Sequence, residues 1–283
     1  MAEIDEMKRG VGCWRNFGLP PSTIFKAAEE WRSIVKGVSK PWLCWHVSLP
    51  WTRLQVNLVR HFGWTPVVGF DPDCGENVAP EIPDALVIDF NKQFGFKKLW
   101  PHFPLEFAFL WSERLAFWHA DLLVRLPLLA ELVDLFGKIP DGHMAACPGN
   151  GRGLRDLFRY RNHRMWELIG VTTAGASEDQ YRNGCGWWRN FALHPNCPPN
   201  EYKDRSRYYY DSGVGIMYWH RKCGGVVHRL PTKRINEGHC TSINNRDYIK
   251  LKDASGRTPL GKQMDLNYHL PTEAKRMGIE DFL

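Results

Sequence analysis

Several things this 283-residue chain lacks narrow what it can be. None of its eight cysteines (Cys13, Cys44, Cys74, Cys147, Cys185, Cys197, Cys223 and Cys240) stands in a Cys-x-x-Cys pair, which argues against a structural zinc knuckle. Cys44 and Cys147 sit in apolar runs, as free buried thiols do. The apolar stretches are broken by Arg, Glu, Asp or Pro well short of the roughly 18 residues a membrane helix needs. The first ten residues, MAEIDEMKRG, contain no apolar segment of the secretory kind. A cytoplasmic, reducing location is the expectation. There is no Lys/Arg run, and the net charge of +6 is mild, so no nucleic-acid partner is expected and a small anionic ligand is better suited. His-x-His and His-Glu-x-x-His are both missing. The glycine loop Gly149-Asn150-Gly151-Arg152-Gly153 lacks the Gly-Lys-Ser/Thr ending of a Walker loop. It also carries Leu154 and Arg155 where a dinucleotide fingerprint needs its third small residue.

What is present suits a large core. At 43% hydrophobic the chain has material for one large domain or two small ones. Thirteen tryptophans can pack against the C–H faces of a sugar or simply fill an interior. Strand-like and helical patterns alternate from residue 41 onward. A helical lead-in over Ser22–Lys36 is followed by a strand at Trp42–Leu49. A helix over Trp51–Phe62 places Leu54, Leu58, Val59 and Phe62 on one face, and Gly63 stops it. Further strands are expected at Thr65–Phe70, Ala85–Phe90, Arg114–His119 and His143–Cys147. Helices are expected over Phe94–Leu110, despite Pro101 and Pro104, over Pro127–Phe136 and over Leu154–Ile169. Asp211–Trp219 reads as a late strand, and the tail Thr232–Leu283 as a polar surface wrap. Strands alternating with helices predict a mostly parallel sheet that binds its ligand beyond the strands' carboxyl ends. Asp71, Asp73, Asp89 and Asp121 all fall at such ends.

The richest segment is Arg114–Val124, Arg-Leu-Ala-Phe-Trp-His-Ala-Asp-Leu-Leu-Val. Its apolar run ends in His119-Ala120-Asp121, and residues two apart on a strand point to one face, so both side chains can aim at one ligand. A divalent metal holding a phosphate is one reading. An ordinary strand end with an aspartate in the turn is the other.

Three segments in order carry a resemblance: the Phe-Trp-His-Ala-Asp strand exit, Asp211-Ser212-Gly213-Val214, and Asn236-Glu237-Gly238-His239. Together they resemble the GT-A class of nucleotide-sugar glycosyltransferases over roughly residues 40–245. His119 takes the place of the first aspartate of that family's Asp-x-Asp motif. The resemblance implies an α/β, Rossmann-type fold with a mixed, mostly parallel sheet flanked by helices in a single domain with an irregular C-terminal part. It divides the chain into a helical lead-in (1–40), a nucleotide-sugar-binding half (41–136), an acceptor-binding half (137–250) and a tail (251–283).

It also implies a hexosyltransferase-like activity with Mn²⁺ or Mg²⁺ and a nucleotide-diphosphate sugar as donor. The acceptor would be a glycan or lipid-linked hydroxyl; the mild positive charge and Trp-rich second half would suit such an acceptor at a membrane surface, as a peripheral contact. Asp121, His119 and His239 would hold the metal. His46, Ser48, Asp71, Asp73, Arg114 and His119 would contact the donor. Asp211, Glu178 and Asp179 are the candidate catalytic carboxylates, and Trp187, Trp188 and Trp219 candidate acceptor platforms. A plain alternative for Ser177-Glu178-Asp179 is a helix start capped by Ser177. A metal-independent member would use Arg152, Arg114 or Lys222 instead. Two other readings compete: a non-catalytic carbohydrate-binding or scaffold descendant, and a hydrolase with zinc at His119, Asp121 and His239.

Overall fold

Strand β1 (Pro41–Trp45) is buried along its whole length, and the rest of the molecule is laid out on either side of it. The computed structural model of the chain describes residues 21–71, 78–94, 102–149, 164–187, 213–240 and 266–283. Among these, β2 (Thr65–Phe70), β3 (Leu86–Asp89), β4 (Arg114–Trp118), β5 (His143–Pro148), β6 (Met165–Thr173) and β7 (Val226–Arg229) join β1 in one seven-stranded sheet of order β3-β2-β1-β4-β6-β5-β7. β6 runs antiparallel to both its neighbours, β4 and β5, while every other pairing is parallel. The chain is thus a mixed α/β single domain with a mostly parallel sheet, compatible with a Rossmann-like fold. The acceptor-binding and nucleotide-sugar-binding stretches expected from sequence share this one sheet.

Helices cover both faces. α1 (Pro21–Val35) buries Ile24, Ala27, Ala28, Trp31 and Val35, a stripe at helical spacing. α2 (Leu49–His61) buries Trp51, Leu54, Val56, Leu58 and Val59, starting after Ser48 with proline in its first turn. α3 (His102–Glu106) and α4 (Ala108–Trp111) are two short helices broken at Phe107, while residues 95–101 of the expected Phe94–Leu110 helix lie outside the described residues. α5 (Leu126–Lys138) follows β4, and α6 (Ala174–Arg182) follows β6.

Nine tryptophans (Trp31, Trp42, Trp45, Trp51, Trp64, Trp111, Trp118, Trp187 and Trp219) are buried, so most of the tryptophan excess serves packing. Trp42 shows this, with its ring 4.9 Å from Trp118 and 5.4 Å from Trp64. Burial pushes the thiols of Cys44 and Cys147 up to about 12, which makes them inert packing groups. Among the described residues no helix is long and apolar enough to cross a membrane.

Three sequence expectations are corrected. The stretch from Met165 is strand β6, not the end of a helix running Leu154–Ile169. An element buried on both faces shows apolar residues at every spacing, so helical periodicity there is uninformative. Val214–Lys222 is a helix, α7, not a strand. Gly213 precedes it with φ +79, and a Cβ at Gly213 would fall on the Met165 carbonyl, so only glycine makes this entry. The tail does more than wrap the surface. α8 (Thr232–Asn236) and α9 (Leu266–Met277) bury Ile235, Leu270, Ala274 and Met277 in the core on the α2 side.

Candidate metal centre

The site forms where β4 runs out. After Trp118 the chain makes one more strand-like bond, from the His119 amide to the Leu168 carbonyl at 2.8 Å, and then turns, with the Leu122 amide reaching the His119 carbonyl at 3.2 Å. A turn in the interior must find partners for its carbonyls. Gln55 of α2 supplies them: its Nε2 donates to the carbonyls of His119 at 2.7 Å and Leu122 at 3.1 Å. From the other side the segment after α8 lies alongside. The Leu123 amide donates to the Gly238 carbonyl and the Cys240 amide to the Asp121 carbonyl, each at 3.0 Å, and Leu122 bridges His239. Gly238 permits this approach, because a Cβ there would fall on the Leu123 carbonyl oxygen.

Three side-chain atoms converge as a result. His119 Nδ1 lies 3.3 Å from His239 Nε2 and 3.7 Å from Asp121 Oδ1, and His239 Nε2 lies 3.3 Å from Asp121 Oδ1. Three ligands at about 2.1 Å from one ion, set at tetrahedral angles, stand about 3.4 Å apart, so the triangle accommodates a single cation. His119, Asp121 and His239 form a group able to hold a metal ion, and their side chains are 28%, 18% and 17% exposed, which leaves the site open to entry from solvent.

A fourth residue backs the cluster: Glu167 Oε1 stands 3.5 Å from the other His119 nitrogen, Nε2. A β-bulge aims it. Ala146 of β5 pairs with Gly170 while Cys147 pairs with Trp166, so one step on β5 spans four on β6 and Glu167 drops out of the ladder. Burial works against a charge on His119, but the hydrogen bond and charge of Glu167, joined by the Asp121 charge, outweigh it and the Arg164 charge, raising the His119 pKa. Burial likewise disfavours the Asp121 carboxylate, yet the hydrogen bond and charge of His239, with His119, hold it below its ordinary value. Arg164 itself stacks over the Trp166 ring, 5.6 Å from its centre.

The structure sorts the remaining candidates by the end of the sheet they occupy. His46 and Asp71, at the carboxyl ends of β1 and β2, share the cluster's end. Both are fully buried, His46 Nδ1 lying 2.9 Å from Thr52 Oγ1 and Asp71 Oδ1 accepting from Asn91 Nδ2 at 3.4 Å. Ser48, also buried, precedes α2, and its carbonyl accepts from the Thr52 hydroxyl at 3.0 Å. None of these three presents its side chain openly to a nucleoside. Asp73, Asp211, Arg152 and Trp188 lie outside the described residues.

Arg114 is a correction. It starts β4, at the sheet's opposite end, and its guanidinium donates to the carbonyls of Phe136 (2.7 Å), Gly137 (2.6 Å) and Ile139 (2.6 Å) at the end of α5. There it satisfies the helix's last carbonyls rather than a phosphate. Arg114→Ala is expected to lower stability by about 1–3 kcal/mol and to leave Mn²⁺ affinity unchanged, read by denaturant melts and calorimetric titration. A loss of affinity with no loss of stability would restore Arg114 to the site.

Glu178 and Asp179 are corrected for the same reason. β6 is antiparallel, so α6 leaves it at Arg114's end of the sheet. There Glu178 pairs with Arg182 at 2.6 Å, and Asp179 accepts from Trp219 Nε1 at 2.6 Å. The cap of α6 is Thr173, whose hydroxyl accepts from the Ala176 amide, while Ser177 is buried and accepts from the Phe109 amide. Lys222 closes α7 just ahead of β7, again at that end. Trp187 and Trp219 are 2% and 1% exposed and so offer no ring face to a sugar.

Sequence reasoning missed Gln55, Gly238 and Glu167. A glutamine on the buried face of an apolar helix and a carboxylate inside an apolar run were the available signals. No protein-family model matches the chain, and no curated protein is significantly similar to it.

Proposed function

We propose that the protein is a metal-dependent glycosyltransferase that moves a sugar from a nucleotide-diphosphate donor to a hydroxyl acceptor on a glycan or lipid-linked saccharide. The observation that supports it is the triangle of His119 Nδ1, Asp121 Oδ1 and His239 Nε2 beyond the carboxyl end of β4, where open α/β sheets bind ligands. These three residues would hold Mn²⁺ or Mg²⁺. The chemistry an ion held there would supply is neutralisation of the charge that grows on a departing nucleoside diphosphate. Two imidazoles among three ligands favour Mn²⁺ over Mg²⁺, which prefers oxygen donors.

The chain's own groups do the remaining work in this reading. The Gln55 amide and the strand-like contact of Gly238–Cys240 with Asp121–Leu123 hold the ligands in register. Arg164, at the entry to β6 and near enough to oppose charge on His119, is a cation suited to a phosphate oxygen. Gly213 pairs with Met165 at the same end of the sheet, through the Met165 amide and the Gly213 carbonyl at 3.1 Å. Asp211 lies outside the described residues and is retained from the sequence as the carboxylate proposed to take the acceptor's proton, in place of Glu178 and Asp179.

The testing measurement is thermal stability against a panel of nucleoside diphosphates and their sugars, with and without Mn²⁺. One nucleotide is expected to stabilise by about 2–3 kcal/mol at a hundredfold excess over its dissociation constant, and more with metal. The two-imidazole, one-carboxylate set also suits zinc, which supports a second reading as a metal-dependent hydrolase. Tight Zn²⁺ binding with no response to any nucleotide would select it.

A further inference from the structure

An imidazole can offer a metal either nitrogen, and the hydrogen bond made by the other one decides which. At His119 the two nitrogens face different partners. Its Nδ1 lies 3.3 Å from His239 Nε2, so a proton on Nδ1 would be donated to His239 and would block both lone pairs. On the far side of the ring, Glu167 Oε1 stands 3.5 Å from Nε2. The Glu167 side chain is only 11% exposed, and it is one of the three extra β6 residues between the partners of Ala146 and Cys147. A carboxylate so placed can accept from the Nε2–H of His119.

We infer that Glu167 is the positioning residue of the metal centre. It draws the His119 proton onto Nε2, fixes the ring plane, and leaves the Nδ1 lone pair facing Asp121 and His239. This rests on the reading that the cluster holds a divalent cation and adds to it a carboxylate–imidazole–metal chain. The bulge is then a functional feature, because a regular ladder would return Glu167 to the alternation of β6 and away from His119. Glu167 acts through His119 and touches no substrate in this account.

The test is calorimetric titration of the full chain with Mn²⁺ and with Zn²⁺, each metal alone, for wild type, Glu167→Gln, Glu167→Ala and Asp121→Ala. Glu167→Gln keeps an oxygen that can accept from Nε2–H but loses the charge. It should lose about 10-fold in affinity, and Glu167→Ala up to about 100-fold, with both variants still melting cooperatively. Wild-type affinity in both, alongside a loss in Asp121→Ala, overturns the inference and leaves the metal reading standing. No binding by wild type overturns both. Should the variants fail to fold, ¹⁵N NMR of the wild type with Zn²⁺ decides the matter. A protonated Nε2 and metal-shifted Nδ1 at His119 is the expected signature, and the opposite tautomer overturns the inference.

Discussion

Asp121→Ala is expected to abolish the Mn²⁺-dependent part of any nucleotide stabilisation and to weaken Mn²⁺ binding by more than about 100-fold. That is the upper end of what altering a residue behind a metal ligand costs, and Asp121 would be a ligand itself. The fold should survive, because the contribution of Asp121 to the strand-like contact with Cys240 is made by its backbone carbonyl. Its carboxylate is 18% exposed, so losing it opens no deep cavity. Removing it also takes away a negative charge that faces both imidazoles within 3.7 Å.

The sign of the pH response follows. The raised His119 pKa means a proton competes with the cation up to higher pH than for an ordinary histidine, and Mn²⁺ affinity should rise as pH climbs through that range. Without metal the two groups contribute to stability with opposite pH dependence. The part due to His119 is present below the ordinary imidazole value and lost as pH rises through the raised one. The part due to Asp121 is present above the ordinary carboxylate value and lost as pH falls through the lowered one. Calorimetric titration at two pH values checks the first statement. Affinity that is unchanged in Asp121→Ala would remove the metal assignment.

Gly238→Ala should do as much damage without touching a ligand. The added methyl would meet the Leu123 carbonyl, a backbone atom that cannot rotate away, and also the Met277 side chain. The strand-like contact of 238–240 with 121–123 must then open, at a cost of about 1–3 kcal/mol for the strain. His239 would leave the triangle with it. Denaturant melts and Mn²⁺ titration should therefore both shift, whereas Asp121→Ala moves chiefly the second. A Gly238→Ala protein with normal stability and normal Mn²⁺ affinity would show that the chain can pass this point without glycine.

The contrast between residues found and residues missed has a physical basis. His119 and Asp121 were legible because strand alternation puts residues two apart on one face, a rule that needs no knowledge of neighbours. His239 was reached only through a family resemblance, and the structure places it 3.3 Å from both. Glu178 and Asp179 looked equally well suited as acidic residues at a helix start. The direction of β6 carried them to the other end of the sheet, and strand direction is set by pairing rather than by local pattern. Arg114 was misplaced by the same kind of gap, since only the packed position of α5 reveals which carbonyls it meets.

By itself, then, the sequence determined the alternation of strands and helices as far as β5, the strand end at which His119 and Asp121 come together, and the absence of a long apolar span. These depend on contacts between near neighbours along the chain. Tertiary structure alone decided that β6 is a strand and antiparallel, that Glu167 comes to His119, that Gln55 supports the turn, and that Gly238 lets His239 close the triangle. Each of these joins groups separated by dozens of residues or more, and such contacts leave no periodic trace in the sequence because sheet pairing and core packing create them only once the chain has folded.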